Sequence, residues 1–220
     1  MQKRCFNLNL TPIPLSGTIP VQKGGFVINR NSKKSNQVLV PMIFLGLVLI
    51  LMIVFCIVYN TERKDYSDFL DDLGMRESSG RYHVENRFGY LGRYQMGDLA
   101  LQDAGFQNAE GEWTSLANSF GIFSEADFLQ SPEGQDAAVR ACHIKICEYI
   151  RTYGLDEYVG TSYCGVKVTR SGLLAACHLV GVKSMKEALQ NSEMAYDGNR
   201  VSASEYLELF SGYDISEVWG

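Results

Sequence analysis

A carboxyl group set at the edge of a groove can carry a proton between a ligand and solvent, and residues 73–101, LGMRESSGRYHVENRFGYLGRYQMGDLAL, are built to place one there. Glu77 falls where a helical pattern gives out, small and polar residues follow it, and a glycine-punctuated loop leads on to a second helical run. An acid that must donate a proton near neutral pH needs partial desolvation. Leu73, Met75, Tyr82, Phe88, Tyr90, Leu91, Tyr94 and Met96 supply apolar surface nearby in sequence, and Gly80, Gly89 and Gly92 let the backbone turn tightly or approach a ligand closely. On these residues alone, a solvated glutamate at a helix end is the simpler account.

The elements that must position this residue are helical. Phe69, Leu70 and Leu73 recur at helical spacing, so a helix over 65–75 leads up to Glu77, and residues 78–92 form the loop. A second helix is expected over 95–104, stopped by Gly105. Residues 106–130 pattern weakly and read as a surface excursion with short helical turns. Ser131, Pro132 and Glu133 are a helix start, since a hydroxyl caps free N–H groups, proline suits the first turn and an acid favours the positive end. That helix is expected to run to Tyr153 and stop at Gly154. Residues 172–182, GLLAACHLVGV, are apolar on every side and read as a central buried helix. Ser184 with Glu187, and Ser202 with Glu205, have the spacing of capping boxes.

Ahead of this domain, residues 38–59 run for twenty-two positions without a charge. That is long enough to cross a bilayer core of roughly 30 Å, and the run exceeds a signal-peptide core. The expected organisation is a flexible cytoplasmic tail over 1–37, a single transmembrane signal anchor over 38–59 and a globular domain over 60–220. Six basic residues and no acid precede the run, which places the N-terminus inside and the domain outside the cytoplasm. The domain carries fourteen basic against twenty-five acidic residues, a formal charge of −11. It has no basic stripe, so nucleic acid is not an expected partner.

Cys142, Cys147, Cys164 and Cys177 lie in the domain, an even number allowing three pairings between which the sequence does not choose. A bridge from Cys142 to Cys147 is awkward across five helical steps. Cys142, His143, Cys147 and His178 match no zinc spacing, so neither a metal nor a cofactor is expected.

The stretch around Glu77 resembles the catalytic segment of the lysozyme-like superfamily, most closely the soluble lytic transglycosylases and their relatives in phage and secretion systems. Their pattern is Glu-Ser, a loop, then Gly-Leu-Met-Gln entering a helix. Glu77 and Ser78 match the first pair, and Gly92, Arg93, Tyr94 and Gln95 stand at the second, with Gly89 where the family keeps a glycine. Arg93 and Tyr94 replace Leu and Met. The buried helix resembles the family's Ala-Ala-Tyr-Asn segment, with Cys177 and His178 in place of the Tyr that approaches the catalytic Glu and the Asn that lines the groove.

The resemblance implies a mostly α-helical, lysozyme-like domain with Glu77 as general acid and base, and with Ser78, Tyr90, Tyr94, Gln95 and His178 as substrate contacts. It implies a peptidoglycan lytic transglycosylase cutting between N-acetylmuramic acid and N-acetylglucosamine, anchored in the inner membrane and facing the wall. Alternatives are a muramidase using a second carboxylate, Glu85 or Asp98, or a non-catalytic wall-docking component of an envelope-spanning secretion, transfer or phage assembly. Asp98 also has a structural role open to it, as an acid near a helix N-terminus.

Overall fold

A computed structural model describes the backbone of residues 32–59 and 64–220, with side chains for 41–55 and 64–220. The chain divides into two units, Met1–Asn60 and Thr61–Gly220. Of the expected flexible tail over 1–37, residues 1–31 lie outside the described residues, and 32–37 are helical instead, as the first turns of the helix that continues to Tyr59.

The first unit holds α1, Ser32–Tyr59, which covers the expected 38–59 and admits Pro41 within it. The side chains of residues 41–55 are apolar or glycine and all are exposed. Among the described residues no helix is long and apolar enough to cross a membrane. The expected span reaches past residues 41–55 at both ends, and its remaining side chains lie outside the described residues.

The second unit is mostly α-helical. In chain order its helices are α2 (Tyr66–Ser78), α3 (Asp98–Asp103), α4 (Ser115–Ser119), α5 (Glu125–Gln130), α6 (Pro132–Thr152), α7 (Arg170–Val180), α8 (Val182–Asn191), α9 (Ala203–Leu209) and α10 (Ser216–Trp219). A 3-10 turn, Leu155–Tyr158, follows α6, and one antiparallel hairpin pairs β1 (Ser162–Tyr163) with β2 (Val166–Lys167). Asp65 begins α2 by accepting from the N–H groups of Ser67 and Asp68, and the Asp68 carboxylate in turn accepts from the Asp65 N–H. Ser131 caps α6 on Gly134 with Pro132 in the first turn, and the helix ends at Thr152, one residue short of its expected end.

The core is built around α7, whose residues from Ser171 to Cys177 are all buried. Gly172 faces α9 so closely that a methyl group there would collide with the Leu207 carbonyl. The missing side chain thus sets how near α9 lies to α7. Phe69 and Leu73 of α2, Val139, Cys142 and Ile150 of α6, Met185 of α8 and Leu207 of α9 complete the interior.

Five local expectations change. The buried helix expected over 172–182 is α7, Arg170–Val180, and Val182 opens α8 beyond Gly181. The stretch over 106–130, expected as a surface excursion, sends Phe106, Ala117, Ile122 and Phe128 into the core. The helix expected over 95–104 starts three residues later, because Leu91 and Met96 exchange backbone hydrogen bonds at 2.9 Å and close a tight turn, which holds Gln95 at φ +49°. Ser184 caps nothing: α8 has already begun at Val182 from a Gly181 N-cap. Ser202 does cap α9 on the Glu205 N–H, but the Glu205 carboxylate turns away to pair with Arg76, so only half of that box forms. None of the three cysteine pairings is made. Cys142, Cys147 and Cys177 are buried free thiols and Cys164 is an exposed one.

Candidate functional site

Glu77 occupies the last turn of α2, one residue before the buried Ser78 and two before Ser79, whose left-handed backbone (φ 59°) ends the helix. Ser78 secures this end, accepting from the Arg81 N–H at 2.9 Å and donating to the Arg81 carbonyl at 3.0 Å. The loop beyond is clamped from behind by Gln135 of α6. That buried side chain accepts from the Arg93 N–H at 2.8 Å and donates to the Phe128 carbonyl at 2.8 Å and the Tyr82 carbonyl at 3.1 Å. Gly92 (φ +72°) is required here, since any side chain would strike the Gln135 amide.

Glu77 is half-buried and accepts a 2.6 Å hydrogen bond at Oε1 from the phenol of Tyr206. Tyr206 is buried in α9, placed by the close approach of that helix to Gly172. Burial, with the Glu77 carboxylate next, raises the phenol far above its ordinary range, so Tyr206 stays a donor throughout the accessible pH range. Arg76 lies 5.7 Å over the Tyr206 ring and pairs with Glu205.

Glu77 opens onto a cleft of about 970 Å³. One lip is the loop carrying Glu85, Phe88 and Tyr90, and the other is the turn carrying Tyr196, Asp197 and Asn199. Gln95, both ends of α3, Glu125 of α5, Cys142 and Ile146 of α6 and the end of α7 line the rest. Arg87 Nη2 donates to Asn199 Oδ1 at 3.3 Å and joins the two lips. Phe88, Tyr90 and Tyr196 are each about half exposed, with the Arg87 guanidinium 4.6 Å over the Phe88 ring.

Of the expected site residues, Glu77, Tyr90, Gln95 and His178 line this cleft, and Ser78 and Tyr94 do not. The Ser78 hydroxyl is spent on the loop. Tyr94 is buried with its hydroxyl on Asp136 at 2.8 Å, because the tight turn between Leu91 and Met96 rotates it into the core. Arg93 likewise leaves the cleft, reaching Tyr82 and Asp71 at 2.7 Å each. Gln95 donates its amide N–H to the Gly92 carbonyl at 2.8 Å, which leaves its amide oxygen to the cleft.

His178 lines the cleft with both ring nitrogens engaged. Nε2 lies 3.2 Å from the Tyr94 carbonyl, which can only accept, so Nε2 carries a proton. With both rings neutral, Nδ1 then accepts from His143 Nε2 at 3.2 Å, and His143 Nδ1 accepts from the Tyr66 phenol at 2.9 Å. His143 is wholly buried. Desolvation first, and then His178 and Arg140, hold its pKa well below the usual histidine range. This chain fixes the His178 ring and presents a carbon edge or face, in place of a free donor, to any ligand.

Sequence reasoning missed Tyr206 and Tyr196, while Phe88, expected as apolar surface near Glu77, does line the cleft. Local spacing offers no signal for Tyr206, which stands 129 residues from Glu77. No family model, no curated protein and no solved structure matches the chain.

Proposed function

We propose that the domain is a peptidoglycan lytic transglycosylase in which Glu77 is the general acid and then the general base. The observation that carries this is the Glu77 carboxyl, opening onto a cleft of about 970 Å³ while Oε1 accepts from a phenol that does not ionise. With Oε1 occupied, the transferable proton belongs on Oε2. Glu77 gives it to the glycosidic oxygen as the bond to C1 of the muramyl residue breaks. The resulting carboxylate takes the proton of the same sugar's 6-hydroxyl, whose oxygen closes on C1 to form the 1,6-anhydro ring. Half-exposed rings at Tyr90 and Tyr196, and the edge of Phe88 left open by Arg87, suit the flat apolar faces of sugars. Such an enzyme belongs on the outer side of the inner membrane, held by residues 38–59.

A muramidase reading is favoured by one observation: Glu85 and Asp98 line the same cleft as Glu77. In an inverting hydrolase a second carboxylate activates water across a gap of roughly 6.5–9.5 Å. Asp98 is exposed at the first position of α3, where an acid also complements the helix N-terminus.

Digestion of purified peptidoglycan by the full-length protein separates these readings. Products ending in 1,6-anhydro-muramic acid, still formed by Asp98→Asn and Glu85→Gln but lost in Glu77→Gln by a factor of ~10²–10⁴ in rate, support the transglycosylase. Reducing ends alone, lost with Asp98→Asn or Glu85→Gln, mark a hydrolase. A folded Glu77→Gln variant of full activity removes both.

A further inference from the structure

The cleft that takes the glycan in this reading carries a charge which the function above leaves unused. Glu77, Glu85, Asp98, Asp103, Glu125 and Asp197 all line it, and no lysine or arginine does among the described residues. Two cations stand near it: Arg76, which pairs with Glu205, and Arg87 at the rim, which keeps its charge on the neutral Asn199 and over the Phe88 ring, so the six carboxylates outweigh them. Three of the six carboxylates have protein donors, from the Tyr206 phenol to Glu77, the Tyr149 phenol to Asp103, and the Asn199 and Val201 N–H groups to Asp197. Glu85, Asp98 and Glu125 are exposed and accept no side-chain hydrogen bond or ion pair among the described residues.

Carboxylates gathered in a concave wall focus a negative potential into the space a ligand occupies. A glycan strand whose charged groups are the carboxylates of its peptide stems is repelled by that potential, and a neutral strand gains nothing from it. A strand that bears ammonium groups is drawn in, while the rings of Phe88, Tyr90 and Tyr196 serve sugar faces regardless of charge.

Resting on the reading of the cleft as a glycan groove, we propose that it selects glycan strands carrying free amino groups, with Glu85 and Glu125 as specificity-determining carboxylates. Two sources supply that chemistry, sugar residues that have lost the N-acetyl group and amino groups of the peptide stem.

The test measures binding of labelled strands to the full-length protein carrying Glu77→Gln, which blocks turnover. Three ligands are compared: N-acetylated strands stripped of stems, the same strands chemically deacetylated, and N-acetylated strands retaining amine-bearing stems. Near 0.01 M salt, where screening extends over about 30 Å, at least one amine-bearing ligand should bind about tenfold more tightly than the stripped neutral strand. That advantage should vanish near 1 M salt, where screening acts within about 3 Å, and should fall severalfold when Glu85→Gln and Glu125→Gln are added. Which amine-bearing ligand gains identifies the source. Equal affinity for all three at low salt overturns the selection and leaves the glycan reading standing. An advantage untouched by the added Gln variants overturns the assignment to these carboxylates, and failure to bind any strand overturns both readings.

Discussion

At the scale of single residues, the contact between Tyr206 and Glu77 makes the sharpest demand. The phenol is the donor that Glu77 has among the described residues, and it fixes which carboxylate oxygen is left for the ligand. Tyr206→Phe keeps the ring against Phe210, 5.4 Å away between centroids, and deletes that bond together with the hydroxyl's interaction with Arg76. Hydrogen bonds to charged groups contribute about 1.5–3 kcal/mol, so kcat should fall about tenfold or more with KM little changed, since glycan contacts elsewhere in the cleft survive. Unaltered kcat in a folded variant would deny Tyr206 any positioning role. Glu77 was legible in the sequence because its signal is local, an acid followed by small residues and a glycine loop. Tyr206 was not, because its own surroundings spell only a helix cap, and its partner is chosen by how closely α9 settles on Gly172. The same limit explains Tyr94: spacing from Glu77 put it beside the groove, and the turn closed by Leu91 and Met96 put it in the core.

At the scale of elements, α6 and α7 were the most legible, since a proline start and an all-apolar run are strong local signals. Their cross-connection was hidden. His143 and His178 come from different helices and meet at 3.2 Å only once the helices pack. Burial of neutral His143 among Tyr66, Phe69 and His178 ties stability to pH. Its folded pKa is depressed below the ordinary value of 6.5, so above about 6.5 neither state binds a proton there and stability is whole. As pH falls below that value the unfolded chain protonates while the folded one resists, and stability is lost down to the depressed folded pKa. The expected slope from this one group is about 1.4 kcal/mol per pH unit. Denaturation midpoints of wild type and His143→Gln, followed downward from neutral pH, should therefore converge as the wild type loses its advantage. Parallel curves would show that His143 titrates alike in both states.

At the scale of the whole molecule, charge divides the chain as its two units do. Every one of the twenty-five acidic residues follows position 60, while six basic residues and no acid precede residues 38–59. Composition alone made this asymmetry legible, because it needs no packing to be read. Lysine and arginine near an apolar run hold their flank on the cytoplasmic side, and α1 displays fifteen consecutive exposed apolar or glycine positions over 41–55, a surface that water penalises and lipid does not. The expected arrangement puts the cleft and its carboxylates outside the cytoplasm, where a glycan strand can reach them. A reporter active only outside the cytoplasm, fused after Gly220, should give signal, and one active only inside should not. Replacing Lys23, Arg30, Lys33 and Lys34 with Gln should weaken that bias, because of the six N-terminal charges these stand closest to the run. Signal from the cytoplasmic reporter alone would separate the domain from its proposed substrate, whatever the chemistry of Glu77.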